Sequence, residues 1–345
     1  MHWVVACVLS DAMTAWSDWQ ALPVSPPFTA TTLAETLDGG QAFRWNRQAD
    51  GAWLGLWGDC VARLRMNDGG SPLEWSAPTE IAERVAAALP RYLALDTDYA
   101  ALMDTLPWRS DPKLAACLGA WHGLRLLRQP FGETLLCFLC SATKQIVQIK
   151  QMAELLAARF GAPICRAGSP NPAGLGEGKL GAPLVERVDL NPLDALRIKR
   201  VALHRLPTWP ELAAASEADL RACALGFRAR FIWQTVQYLA AHPGWLDETE
   251  CLSYAVAKER LCTLPGVGEK IADCVLLFGA GRYEAFPVDV WIVKAMARCY
   301  NLEGWTPAQI AHFGRVHFGA GAGLAQQCLF ASERATGRRN LSRNS

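Results

Sequence analysis

The chain has 345 residues, 51% of them hydrophobic, enough to bury one large core or two moderate ones. Lys and Arg number 34 against 33 Asp and Glu, so a whole-surface attraction to nucleic acid is not implied and any nucleic-acid footprint has to be local. The apolar run over 3–9 is too short to span a bilayer and has no basic region before it, and no longer apolar span follows, so a soluble protein is expected.

Residues 1–19 read as an N-terminal extension that need not belong to the folded unit. Between 33 and 75 apolar and polar residues alternate. Turn signals at Asp38-Gly39-Gly40, Ala49-Asp50-Gly51 and Asn67-Asp68-Gly69-Gly70 separate strand-like pieces over 52–57 and 60–66. An antiparallel sheet domain over 20–118 is the expectation. After Pro78 the periodicity turns helical, with helices expected over 79–89, 111–118, 131–140, 146–160, 191–201, 217–225, 229–241, 254–262, 269–277, 290–300, 306–313 and 323–334. The fold class is therefore α+β: an N-terminal antiparallel sheet domain, then a mainly helical domain over 119–335 and a tail over 336–345. Residues 162–183, rich in Gly and Pro and without periodicity, read as a mobile loop.

The twelve cysteines are scattered, and only Cys137 and Cys140 are closely spaced, inside an apolar run. No second such pair or Cys/His set follows, so neither a zinc site nor an iron–sulfur cluster is expected. Reduced thiols suit a cytoplasmic protein.

The densest chemistry lies in Leu264-Pro265-Gly266-Val267-Gly268-Glu269-Lys270. Gly266 and Gly268 let the backbone turn sharply and present successive N–H groups at a helix N-terminus, an anion site for which a DNA phosphate is a natural occupant. An ordinary helix-to-helix turn would use the same glycines. Lys270 favours the anion site, because a bland helix start prefers acids in its first turn. Desolvation beside the helix dipole would favour a free amine there, and hence a nucleophile. Farther on, Asp289 follows Pro287-Val288 and can cap the helix over 290–300. Capping and catalysis are compatible, since a carboxylate held by backbone N–H groups is expected to stay ionised and rigid.

With these motifs in order, the chain resembles the helix–hairpin–helix DNA glycosylases, and within them the 8-oxoguanine DNA glycosylase/AP lyases. The resemblance runs over about 28–334. It rests on Gly40-Gln41-Ala42-Phe43-Arg44-Trp45, Arg125-Leu126-Leu127-Arg128-Gln129, Leu225-Gly226-Phe227-Arg228-Ala229-Arg230-Phe231, the hairpin through Cys274, the segment Pro287–Val290, and Ala325-Gln326 with Leu329-Phe330.

It implies a bifunctional repair enzyme acting on double-stranded DNA that contains oxidised guanine. Lys270 would be the nucleophile that forms a Schiff base with C1′, and Asp289 the essential acid. Cys274 and Phe330 would sandwich the flipped base, with Phe278 and Pro287 nearby and Gln326 reading its Watson–Crick edge. The carbonyl of Gly40 would accept the N7–H that 8-oxoguanine carries and guanine lacks, a discrimination sharper than pocket shape alone achieves. Phe227 would fill the gap left by the extruded base, and Arg228, Thr143 and Gln148 would face the opposite cytosine. Gly266, Val267, Gly268 and Trp291 would meet the DNA backbone. No cofactor is implied beyond a structural monovalent cation on the carbonyls of Cys262, Leu264 and Val267. A monomer without membrane association is expected, cytoplasmic or, in a eukaryote, nuclear.

Spacing supports part of this independently. Lys270 and Cys274, and likewise Gln326 and Phe330, stand four apart and share helix faces. Cys274 and Phe330 could equally be core residues, and Arg228 a surface charge. Thr143 and Gln148 stand where such enzymes carry Asn and Arg, Phe227 where Tyr is usual, Trp291 where His is usual, and Phe278 in place of Met. Weaker selection of the opposite base is therefore expected. The alternatives are a glycosylase of the same superfamily for alkylated purine or oxidised pyrimidine, and a non-catalytic DNA-binding module.

Overall fold

The computed structural model describes residues 15–66, 72–164 and 203–343. The expected turn at 67–70, most of the expected loop over 162–183, the expected helix over 191–201 and residues 1–14 of the extension lie outside the described residues.

The fold is α+β. Five strands, β1 (Gln20–Leu22), β2 (Trp45–Arg47), β3 (Trp53–Trp57), β4 (Cys60–Met66) and β5 (Leu73–Ser76), form one antiparallel sheet in the order β1-β5-β4-β3-β2. Trp57 pairs with Cys60 across a two-residue turn in which Gly58 takes φ +47°. Gly55 pairs with Trp45, and a Cβ at Gly55 would lie 2.2 Å from the Trp45 ring, so the absent side chain is what lets the indole lie flat on β3. Trp45 stacks on Trp57, Trp57 stacks on Tyr92, and Trp45 Nε1 donates to the Tyr92 hydroxyl at 2.8 Å. The sheet thereby grips α2 (Ala82–Tyr92).

Residues 33–38 are helical rather than strand-like. They belong to α1 (Ala30–Asp38), which Thr29 caps in a reciprocal arrangement with Thr32. Its apolar face, Leu33 and Leu37, is buried in the sheet's core. Two cores divide the chain, and they divide it earlier than the expected 118/119 boundary. Apart from Phe43, clustered buried apolar side chains up to Leu93 join the sheet core, whereas Ala94, Tyr99, Leu106, Leu114 and Leu118 join the helical one. The helices α3 (Tyr99–Asp104) and α4 (Pro112–Ala120) accordingly belong with the second half, α4 packing on the last helix.

The second half among the described residues comprises α5 (Phe131–Leu139), α6 (Ile146–Phe160), α7 (Trp209–Leu212), α8 (Glu217–Leu220), α9 (Arg228–Ala241), α10 (Trp245–Cys251), α11 (Tyr254–Cys262), α12 (Glu269–Phe278), α13 (Val290–Tyr300), α14 (Pro307–Phe318) and α15 (Ala322–Arg343). The helix expected over 217–225 ends at Leu220 and continues as a wide turn, Arg221–Leu225, in which Ala224 takes φ +60°. The last helix continues to Arg343, through most of the expected tail. No helix of the described residues is long and apolar enough to cross a membrane.

Candidate active site

The hairpin between α11 and α12 is rigid for reasons its residues make plain. Gly266 has φ +79°, and a Cβ there would sit 2.8 Å from Cβ of Phe231 on α9, so conformation and packing both require glycine. Leu264 and Val267 are buried, and Val267 N–H donates to the Leu264 carbonyl at 3.1 Å. Tyr254 and Lys258 of α11 both bond the carboxylate of Asp273 on α12, at 2.7 Å and 3.1 Å, and Lys258 also pairs with Glu269. Gly268 differs from Gly266. Its backbone is extended, a Cβ there would meet nothing within 4 Å, and no side chain caps the helix that follows. The first amides of α12 therefore have no acceptor from a capping side chain.

Lys270 projects from this first turn toward α5. Its Nζ donates to Ser141 Oγ at 3.4 Å and lies 5.5 Å from the centre of the Phe138 ring. The Ser141 hydroxyl donates in turn to the Phe138 carbonyl at 2.7 Å, which leaves its lone pairs for the lysine. Phe138 stacks on Phe278, with centroids 5.7 Å apart and planes at 15°. A cavity of about 310 Å³ adjoins the lysine, walled in part by Val288 of the segment leading to Asp289, by Glu269, and by Thr306 and Pro307 at the start of α14. None of Cys274, Phe278, Gln326 and Phe330 lines it.

Asp289 is the N-cap of α13, its Oδ1 accepting from the amides of Trp291 and Ile292 at 2.9 Å each. The carboxyl is thus fixed, but the two bonds do not by themselves set its ionisation. Burial is the largest influence and raises its pKa above the usual 3.8, against the opposing pull of the Ile292 amide, the Lys270 charge, the Trp291 amide and Arg334. Cys274, one turn after Lys270, is buried, and burial pushes its thiol up to about 12 although the lysine charge opposes this. It is a neutral S–H at pH 7.

On α15, Gln326 is buried, donates from Nε2 to the Pro287 carbonyl at 3.0 Å and accepts at Oε1 from Gln327 at 2.7 Å. Phe330 is half-buried one turn later. Gly40, with φ +104°, occupies the bend between α1 and β2, and a Cβ there would press on Ile146 at 3.2 Å. Its flanks are pinned. Gln129 Nε2 donates to the Gln41 carbonyl at 2.7 Å, while the Gln41 side chain bonds the Arg125 carbonyl and the Leu127 amide.

Residues 25–135 match the family of 8-oxoguanine DNA glycosylase N-terminal domains. The chain is 29% identical to N-glycosylase/DNA lyase OGG1 of Arabidopsis thaliana over 324 residues, covering 90% of this chain and 80% of that protein. It is 29% identical to N-glycosylase/DNA lyase of Saccharomyces cerevisiae, covering 78% and 68%. Its fold matches the 8-oxoguanine glycosylase/lyase of Clostridium acetobutylicum, solved with double-stranded DNA containing cytosine opposite 8-oxoG, at 28% identity and a TM-score of 0.71, covering 88% and 92%. Over most of its length the chain is thus similar to 8-oxoguanine DNA glycosylase/AP lyases.

Phe227 is exposed at 54%, and Val147 at the start of α6 at 63%. Arg228, in contrast, is buried. Its guanidinium bonds the Ala142 carbonyl, lies 2.9 Å from Thr143 Oγ1 and stacks on Phe227. Thr143 is exposed with φ +55°, and Gln148 turns back so that its Oε1 accepts the Gln145 amide at 3.2 Å. Trp291 packs against α15 at Gly337, where a Cβ would stand 3.0 Å from its ring. Sequence reasoning missed Ser141, Phe138 and Gln327. Ser141 sits two residues before Thr143 in a segment read only for cytosine contacts.

Proposed function

We propose that this protein excises 8-oxoguanine, and chemically related oxidised purines, from double-stranded DNA as a bifunctional glycosylase and AP lyase. One observation carries the reading: an uncapped glycine hairpin starts the helix whose first turn holds Lys270, and Asp289 is fixed at the start of the next helix within electrostatic reach of that lysine.

A strand phosphate seats on the amides after Gly266 and Gly268. The lesion is extruded at a cost of a few kcal/mol, and Phe227 fills the gap. The Lys270 amine attacks C1′, and the C1′–N9 bond breaks with its electron pair leaving on the base. The Asp289 carboxylate offsets the positive charge that develops on the sugar. Loss of a proton from nitrogen and opening of the ring leave a C1′ Schiff base. That makes the C2′ proton acidic, and its removal expels the 3′ phosphate as the C3′–O bond breaks. Gly40, Cys274, Phe278, Pro287, Gln326 and Phe330 hold the base, and Trp291 faces the backbone.

No cofactor takes part. A monovalent cation on the carbonyls of Cys262, Leu264 and Val267 would add only grip on the phosphate. The enzyme works as a monomer in the compartment that holds the DNA. The deciding experiment is borohydride trapping on an 8-oxoguanine duplex, expected for the unmutated protein and lost in Lys270→Gln. Equal trapping by that variant rejects the nucleophile, and preferential release of alkylated purine or oxidised pyrimidine from a lesion panel rejects the substrate.

A further inference from the structure

Arg334 of α15 is buried, and nothing in the reaction above uses it. Its Nη1 donates to Glu35 Oε1 of α1 at 2.6 Å and to the Gly39 carbonyl at 2.7 Å. Its guanidinium carbon lies 5.3 Å from the centre of the Phe330 ring, one turn earlier on the same helix. Gly39 is itself wedged in place. A Cβ on it would lie 2.0 Å from the Glu35 carbonyl oxygen and 2.6 Å from Glu35 Oε1, so the carboxylate, the guanidinium and this peptide form one packed unit.

We infer that Arg334 is the positioning residue that sets the spacing between the Gly40 carbonyl and the Phe330 ring, and so the selection of 8-oxoguanine over guanine. The inference rests on the functional reading above, in which that carbonyl meets N7–H and that ring stacks on the base. The Gly39 carbonyl is one peptide before the Gly40 carbonyl, and the Gln41 carbonyl, one peptide after, is held by Gln129. With both neighbours pinned, the Gly40 carbonyl keeps one direction only if Arg334 stays in place. The same guanidinium faces Phe330, so the jaw that reads N7 and the jaw that stacks move together. A buried Arg–carboxylate pair costs desolvation that an apolar pair of similar volume avoids, so its worth here is geometric rather than stabilising. Gln326, Phe330 and Arg334 recur at four-residue intervals, placing edge reading, stacking and anchoring along one face of α15.

The experiment compares Arg334→Met, Arg334→Lys and Glu35→Gln with the unmutated protein in three assays on the full chain. These are single-turnover release of 8-oxoguanine, release of guanine from the matched undamaged duplex, and borohydride trapping on a duplex whose base has already been removed. Misplacing the carbonyl and ring should slow 8-oxoguanine release in Arg334→Met by about ten- to a hundredfold and narrow its ratio to guanine release. Trapping on the abasic duplex, which has no base to read, should stay within about twofold. Arg334→Lys, which keeps the charge and can still donate, should recover part of the loss. Thermal melting of each variant separates misfolding from misplacement. Equal losses on lesion and abasic duplexes, or an unchanged ratio to guanine, would overturn the inference and leave the functional reading standing. Absence of 8-oxoguanine release by the unmutated protein would reject that reading, and this inference with it.

Discussion

Gln326 donates from its side-chain amide to the carbonyl of Pro287 at 3.0 Å, which ties the residue placed on the base edge to the segment that ends in Asp289. Gln327 fixes the other end of the same amide. In the proposed mechanism base reading and charge stabilisation thus share one hydrogen-bonded loop, and a change at Gln326 should reach the acid two residues beyond Pro287. We expect Gln326→Leu, which leaves the Pro287 carbonyl unpaired and buried, to cost about 1–3 kcal/mol of stability and to slow 8-oxoguanine release more than abasic-site trapping. Denaturant titration and single-turnover kinetics check this, and a variant as stable and as fast as the parent would refute it.

In the proposed reaction Asp289 should set the acid side of the pH profile. Its carboxyl is raised above 3.8, chiefly by burial, and it must be ionised to offset charge on the sugar. Base release should therefore be full above this raised value and fall as pH drops through it, placing the acid limb above the usual aspartate range. Asp289→Asn should remove the limb and slow release by about a hundredfold. A limb that survives in the Asn variant would show that another group titrates there.

How much of this was legible in the chain depends on how local each cause is. The hairpin could be read because Gly266 and Gly268 sit beside Lys270, and α13 because Asp289 is its own cap. The helix α1 was hidden because its cap relies on a reciprocal bond between Thr29 and Thr32, residues that also suit a strand, and because its short apolar pattern imitates alternation. The Lys270–Ser141 bond joins residues 129 apart and the Arg334–Glu35 pair residues 299 apart, distances over which no periodicity carries information. The raised pKa of Asp289 follows from burial, which spacing does not report.

Glu133 gives the stability its own pH signature. Its carboxyl at the start of α5 accepts the Gly58 amide at 3.0 Å, joining the β3–β4 turn to the helical core, and burial pushes it up to about 7. The folded chain thus holds a proton that the unfolded chain releases near 4.5. The stability this contributes is fully present below 4.5 and is lost as pH rises through 7. Glu133→Gln keeps an acceptor for Gly58 and should flatten that decline, leaving the variant about 1–2 kcal/mol more stable than the parent at about pH 8. Melting curves at several pH values decide it, and parallel profiles for the two proteins would count against the assignment.

Opposite-base selection should be loose, and the turn between α5 and α6 explains why. Arg228 is folded onto the Ala142 carbonyl and the Thr143 hydroxyl, and Gln148 spends its Oε1 on the Gln145 amide. A cytosine opposite the lesion has to compete with those bonds. Thr143 also holds φ +55°, a conformation that a β-branched residue adopts at a cost of about 1–3 kcal/mol and that asparagine tolerates better. Thr143→Asn should therefore raise the melting temperature and, by offering an amide in place of a methyl group, increase the ratio of release opposite cytosine to release opposite adenine. Adding Gln148→Arg should raise that ratio further, since a guanidinium cannot cap α6 by accepting and is free to donate to the base. A parent enzyme that already rejects adenine as sharply as the double variant would show that Arg228 alone suffices, freed from its turn when DNA binds.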